Sequence, residues 1–193
     1  MLIFVIIAVI LLIWMIHYSK QLTKKSRSTL KLISTLDASL KQQTLLAQQV
    51  IALSELTLST KQIYTQQLEQ LQQELNKPYK VNDYQKIKSH LKRGGRLSYQ
   101  INQTFIISKH QHNIQPESPL HIHIQKYYDI HSGFSTICRH YNQSVTELNH
   151  SVSIFPSSLI AFILNTHAMP YFEPNMPASL SPTYVYQNLE QLS

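Results

Sequence analysis

The chain has 193 residues, with 3 glycines, 8 prolines and a single cysteine, Cys138. That length fits one modest soluble domain beside a membrane segment and excludes two ordinary enzyme domains, while one thiol excludes an internal disulfide framework and fits a reducing compartment. The formal charge is +7, carried by two clusters: Lys20, Lys24, Lys25, Arg27 and Lys31, then Lys77, Lys80, Lys86, Lys88, Lys92, Arg93 and Arg96. Phosphate-bearing surfaces, lipid headgroups first, are the expected neighbours of such a chain.

Met1 to Ile16 (MLIFVIIAVILLIWMI) carries no charged or hydrogen-bonding aliphatic side chain, and as a helix it would rise roughly 24 Å. Trp14, His17 and Tyr18 suit a membrane interface and Lys20 can snorkel, which extends the span into the range of one crossing. A cleaved signal peptide would need a basic residue before the apolar run and a small-residue cleavage site after it, and neither is present. The expectation is a transmembrane anchor over residues 1–19. All nearby cations follow the run and none precede it, so the positive-inside bias predicts an outside N-terminus and a cytoplasmic remainder.

From Thr29 to Asn76 apolar residues recur at helical spacing (Leu30, Ile33, Leu36, Leu40, Leu46, Val50, Leu53, Tyr64, Leu68, Leu71, Leu75), which predicts one long amphipathic helix or two with a bend. Pro78 closes that stretch. Asn82 or Asp83 offers a cap for a helix running to about Lys109, with Gly94 and Gly95 weakening its middle. Residues 110–119 (HQHNIQPESP) read as a connection, with Ser118 as N-cap of a third helix. That helix has the clearest seam of the chain: Leu120, Ile124, Tyr127, Ile130, Phe134, Ile137, Tyr141, Val145, Leu148, Val152 and Phe155. The LHIHI start alternates like a strand, but for five residues only, against more than thirty of helical period.

Pro156 stops the third helix, Ser157 and Ser158 can cap a short apolar helix (LIAFIL), and Phe155, Leu159, Ile160, Phe162, Ile163 and Leu164 are expected to close one end of the bundle. Beyond it Pro174, Pro177 and Pro182 predict a flexible tail over 174–193. The fold class is therefore all-α: an N-terminal transmembrane helix, then an antiparallel bundle of three to four long helices over residues 20–173.

Residues 137–173 (ICRHYNQSVTELNHSVSIFPSSLIAFILNTHAMPYFE) hold Arg139, Tyr141-Asn142, Asn149, Phe155-Pro156, Leu159-Ile160-Ala161 and Pro170-Tyr171-Phe172-Glu173. At this spacing they resemble the C-terminal signature of the LemA family. Residues 36–41 (LDASLK) are similar to a second stretch of that family, whereas Gln42, Gln43, Thr44 and Gln48 stand where the family carries arginines, an aromatic and a proline, and Phe162 and Asn165 replace two glycines. The resemblance implies a divergent member: an N-terminally anchored helical bundle facing the cytoplasm at a bacterial inner membrane. It implies no enzymatic activity.

Candidate chemistry is sparse. His110/His112 and His121/His123 stand two apart, which on a helix points their rings about 200° from each other, so solvated histidines are expected rather than a metal chelate. Glu147 and His150 make one Glu-x-x-His step where a di-iron bundle needs two and two further glutamates. Cys138, beside the seam, reads as a small buried residue rather than a nucleophile. Lys92-Arg93-Gly94-Gly95-Arg96 lacks the preceding strand and the Lys-Ser/Thr ending of a nucleotide loop, and no aromatic platform marks a nucleic-acid module. No catalytic residue, metal or cofactor is assigned. The expected function is a membrane-anchored adaptor for protein partners, with Lys20, Lys24, Lys25 and Arg27 toward lipid. Direct organisation of anionic lipid by the basic helices is the alternative, and histidine-dependent metal binding a third reading.

Overall fold

The computed structural model describes residues 1–81, 83–109 and 118–174. Asn82, His110, His112 and the proline-containing tail read from 175 onward lie outside the described residues. Within them the regular structure is helical throughout: α1 (Leu2–Leu53), α2 (Leu58–Leu75), α3 (Tyr84–Lys109), α4 (Pro119–Ser153) and the short α5 (Ser157–Ile163).

No glycine or proline interrupts the first 53 residues, so the apolar segment and the first helix of the body form one continuous rod about 78 Å long. Its large apolar residues from Met1 to Ile16 are all exposed, and the helix is long and apolar enough to cross a membrane. Burial begins at Leu22, nearly two turns later. Leu22, Thr29, Ile33, Leu36, Leu40, Ala47 and Val50 are buried at intervals of three, four and seven, which turns one stripe of α1 toward the other helices.

The stretch from Thr29 to Asn76 proves to be two helices. Ser54 and Thr57 bracket the break. Ser54 Oγ donates to the Ile51 carbonyl at 2.7 Å, and Thr57 bonds the hydroxyl of Thr60 at 2.7 Å, the local competition by which Ser and Thr end helices. The chain then folds back, with Lys61 Nζ on the Ala52 carbonyl at 3.0 Å. Asp83 caps α3 through the amides of Gln85 and Lys86, and Ser118 caps α4 through the His121 amide, with Pro119 in the first turn.

Side-chain pairs set the directions. Thr29 meets Ser144 and Gln43 meets His131, so α1 and α4 run oppositely, one residue for one. Asp37 meets His90, which places α3 beside α1, and Gln67 meets Gln100 across α2 and α3. One apolar core joins the helices, with Tyr127, Tyr141, Phe105, Phe134 and Phe172 as its largest fully buried side chains.

The structure corrects the α4 seam, the closure of the end after Pro156 and the cap of α5. The α4 seam runs through His131, Cys138 and Ser151, leaving Ile130, Ile137 and Val152 half-buried; a search for apolar periodicity slid one position onto the greasier neighbour each time. α3 runs unbroken across Gly94 and Gly95. A Cβ on Gly94 would stand 3.3 Å from Leu40 Cδ1 and 3.4 Å from Phe172 Cε2, so this glycine permits close packing of α1, α3 and the chain after α5. Finally, of Phe155, Leu159, Ile160, Phe162, Ile163 and Leu164, expected to close one end, only Ile160 is buried, beside Ala161. Phe155, Leu159, Phe162 and Ile163 face outward, Phe162 at 86% exposure. A seven-residue helix lying over the end of α4 has one face to bury, and no described residue covers its other side. Nor do the serines cap α5: Ser157 Oγ donates back to the Ile154 carbonyl.

Candidate functional site

The residues singled out in the sequence gather at the end of the body nearest the exposed apolar rod. Lys20, Lys24, Arg27 and Lys31 are spaced by four, three and four, and line one open face of α1 with Ser19, Thr23 and Ser28. All four are exposed. Lys25 leaves this face: its Nζ donates to Ser151 Oγ on α4 at 3.0 Å.

After α5 the chain doubles back along α4 as an extended strap, residues 166–173, and the motif residues hold it. Asn149 Nδ2 donates to the Met169 carbonyl at 2.9 Å while the Met169 amide donates to Asn149 Oδ1 at 2.7 Å. One helical repeat away, Asn142 makes the same two bonds with Phe172, at 3.0 and 2.8 Å. Each asparagine thus imitates a neighbouring strand's peptide group and satisfies backbone that would otherwise be desolvated without partners. Tyr141 OH donates to the Pro170 carbonyl at 2.8 Å, and burial pushes its phenol well above the usual range. Phe172 then enters the core edge-on to Phe134, at 5.9 Å between centroids. Asn165 begins the strap at φ 50, the left-handed position after a helix, with the Thr166 amide on the Ala161 carbonyl and the Asn165 amide on that of Phe162. This is a Schellman ending, for which asparagine is the best residue after glycine. Arg139, Pro156, Leu159, Tyr171 and Glu173 are exposed.

Two polar clusters escaped the sequence reading, which placed the histidines in solvent. His90 and His131 are buried, 2% and 7% exposed. His90 Nε2 lies 3.0 Å from both oxygens of Asp37, its ring stacks on Tyr79 at 4.0 Å, and Nδ1 has no protein partner. These three residues border a cleft of ≈480 Å³ with Lys41 and Lys77 at its rim. Burial first, and then the Asp37 charge, raise the Tyr79 phenol, which therefore stays protonated. The arrangement orients an imidazole in a cleft that Lys41, Gln72, Asn76 and Lys77 also line. The signal in the sequence was position: His90 falls on the stripe of Ile87, Leu91, Gly94 and Leu97.

The second cluster lies inside the body. Tyr127 OH bonds Asn102 Oδ1 at 3.2 Å and His131 Nδ1 at 3.3 Å, and that nitrogen lies 3.4 Å from Gln43 Oε1. Burial holds the His131 imidazole below its usual 6.5. Its folded value is thus lower than its unfolded one, so its stabilising contribution is full above pH 6.5 and is lost as pH falls through the lowered folded value. We expect melting temperature to drop between pH 7.5 and pH 5, and His131→Gln to flatten that dependence; an unchanged slope in the variant would contradict the assignment.

Burial also pushes the Cys138 thiol up to about 12. Maleimide should leave Cys138 unmodified in the native chain at pH 7 and label it fully in denaturant, as mass spectrometry can read. Among the described residues no three His, Cys, Asp or Glu side chains converge as metal ligands. No protein-family model, curated protein or solved structure matches the chain.

Proposed function

We propose that the chain is a membrane-tethered adaptor, divergent in the LemA manner, whose N-terminal segment spans the inner membrane of a bacterium and whose antiparallel bundle faces protein partners in the cytoplasm. The observation that carries this reading is α1 itself: an exposed apolar end passes without a joint into a buried stripe. Such a rod transmits the position and orientation of the bundle to the membrane, a linkage suited to presenting a surface rather than to releasing a free domain. The clamp made by Asn142 and Asn149 supports the resemblance, because the motif residues act together on one strap.

The surface on offer is polar, mixed in charge along α2 and α4 and basic along α3. Photo-crosslinking amino acids at exposed Gln66, Lys88 and Gln125, introduced one at a time into the full chain in cells, test the reading. Discrete protein adducts that depend on the position of the probe are expected. Adducts to lipid alone would favour the second reading, direct organisation of anionic lipid, for which the exposed row Lys20, Lys24, Arg27 and Lys31 is the supporting observation. That reading predicts vesicle binding by the bundle that weakens as salt rises.

A further inference from the structure

Among the described residues, none covers the outward-facing side of the elbow between α4 and α5, and three observations say what meets it. The first is level. The α1–α4 pairing advances one residue for one from Gln43/His131 to Thr29/Ser144, which sets the end of α4 at Ser153 beside Lys20. Ile16, the last residue of the exposed apolar run, is four residues beyond Lys20, a rise of about 6 Å. The polar headgroup layer is about 5–8 Å deep on each side of a bilayer, so the elbow lies within that layer wherever the run is in the hydrocarbon.

The second is chemistry. Ile154, Phe155, Leu159, Phe162 and Ile163 are exposed, Phe155 at 74%, and together they form the apex of the turn between α4 and the returning strap. The third is charge. From Leu148 to Phe172 there is no acidic residue, and the exposed cations Lys20, Lys24 and Arg27 follow on α1 from that level into the body. An apolar apex without carboxylates, placed between cations and an aromatic pair, Trp14 stacked on Tyr18, has the make-up of an in-plane membrane contact.

We infer that the elbow is a second membrane contact: Phe155, Leu159, Phe162 and Ile163 insert into the headgroup–acyl boundary of the bilayer that the N-terminal segment crosses. The inference rests on the anchor reading above. Two contacts on one rigid body fix the tilt and rotation of the bundle, which a single helix leaves free, and so decide which bundle faces point away from the membrane. The strap is then the brace of this contact, since the paired hydrogen bonds of Asn149 and Asn142 hold the chain that returns from the apex.

The test uses the full chain in vesicles of phosphatidylethanolamine and phosphatidylglycerol, with nitroxide-labelled lipid as tryptophan quencher. Native Trp14 reports the anchor. In a Trp14→Phe background, Phe162→Trp and Phe155→Trp report the elbow, and Ile122→Trp, an exposed site at the far end of α4, is the control. Circular dichroism and melting verify that each variant is folded; with two elbow probes, one misfolded variant does not end the test.

The expected result is blue-shifted elbow emission that loses most of its intensity to nitroxide near the headgroup and less to nitroxide deep in the acyl chain. The control stays red and unquenched. If Trp14 is quenched and both elbow probes remain red, the inference is overturned and the anchor reading stands. Blue-shifted elbow emission without quenching means that a second copy or another protein covers the apex, and also overturns it. Equal quenching of Ile122→Trp would show indiscriminate adsorption, again against it. An unquenched Trp14 would instead remove the anchor reading on which the inference rests.

Discussion

Phe172→Ala is expected to destabilise the full chain in detergent by about 3–5 kcal/mol, the usual cost of removing a buried aromatic ring. Phe172 is 2% exposed, meets Phe134 edge-on and lies against the site of the missing Cβ of Gly94, so truncation opens a void bounded by three elements. Asn142→Ala attacks the same strap differently. It strips partners from the amide and carbonyl of Phe172, and each unmet backbone group costs about 1–3 kcal/mol, toward the lower end here because the asparagine is only part-buried. The two sites share one segment, so the double variant should lose less than the sum of the single losses. Urea melts followed by circular dichroism check all three; strict additivity would mean that the asparagine and the ring do not hold the strap jointly.

Val145→Asp should be at least as damaging, at roughly 4 kcal/mol or more, because Val145 is fully buried on α4 and a carboxylate there would be dehydrated or forced to stay neutral. Ile137→Asp is the informative contrast. Apolar periodicity places Ile137 on the seam, but the structure gives that position to Cys138 and leaves Ile137 half-buried, so the carboxylate keeps part of its water and the loss should be about 1–2 kcal/mol. Equal losses at the two positions would restore Ile137 to the seam.

That contrast shows what the sequence made legible. Helix ends were readable because their chemistry is local: Asp83 and Ser118 cap the helices they precede, and Pro78 and Pro156 lie in or beside breaks. The positions of α3 and α4 followed from three-four spacing and their caps, whereas spacing left Thr29 to Asn76 as one helix or two and did not join the apolar segment to α1. What spacing could not supply was the phase of the α4 stripe where polar residues occupy core positions. His131 is tolerated inside because Tyr127 and Gln43 meet it, and His90 because Asp37 does; those partners come from other positions and other helices, and no local pattern names them. The strap illustrates the same limit. Asn142 and Asn149 stood out only through a resemblance and Tyr141 otherwise only as a seam residue, and their common purpose appears once residues 166–173 are laid against α4.

The outward-facing elbow was misread for a different reason. Large apolar side chains imply burial somewhere, and the sequence reading assigned it to the bundle end. Two turns of helix can give only Ile160 and Ala161 to the core, which leaves the remaining apolar surface to the surroundings of the protein.

Orientation across a bilayer tests the account most directly. Single-cysteine variants Leu2→Cys and Gln125→Cys, in a Cys138→Ser background, would be treated in spheroplasts with a membrane-impermeant maleimide before and after lysis. The account predicts that Leu2→Cys is labelled in intact spheroplasts and that Gln125→Cys is labelled only after lysis, with all five cations from Lys20 to Lys31 on the inner side. Labelling of Gln125→Cys in intact spheroplasts, or protection of both positions, would contradict it.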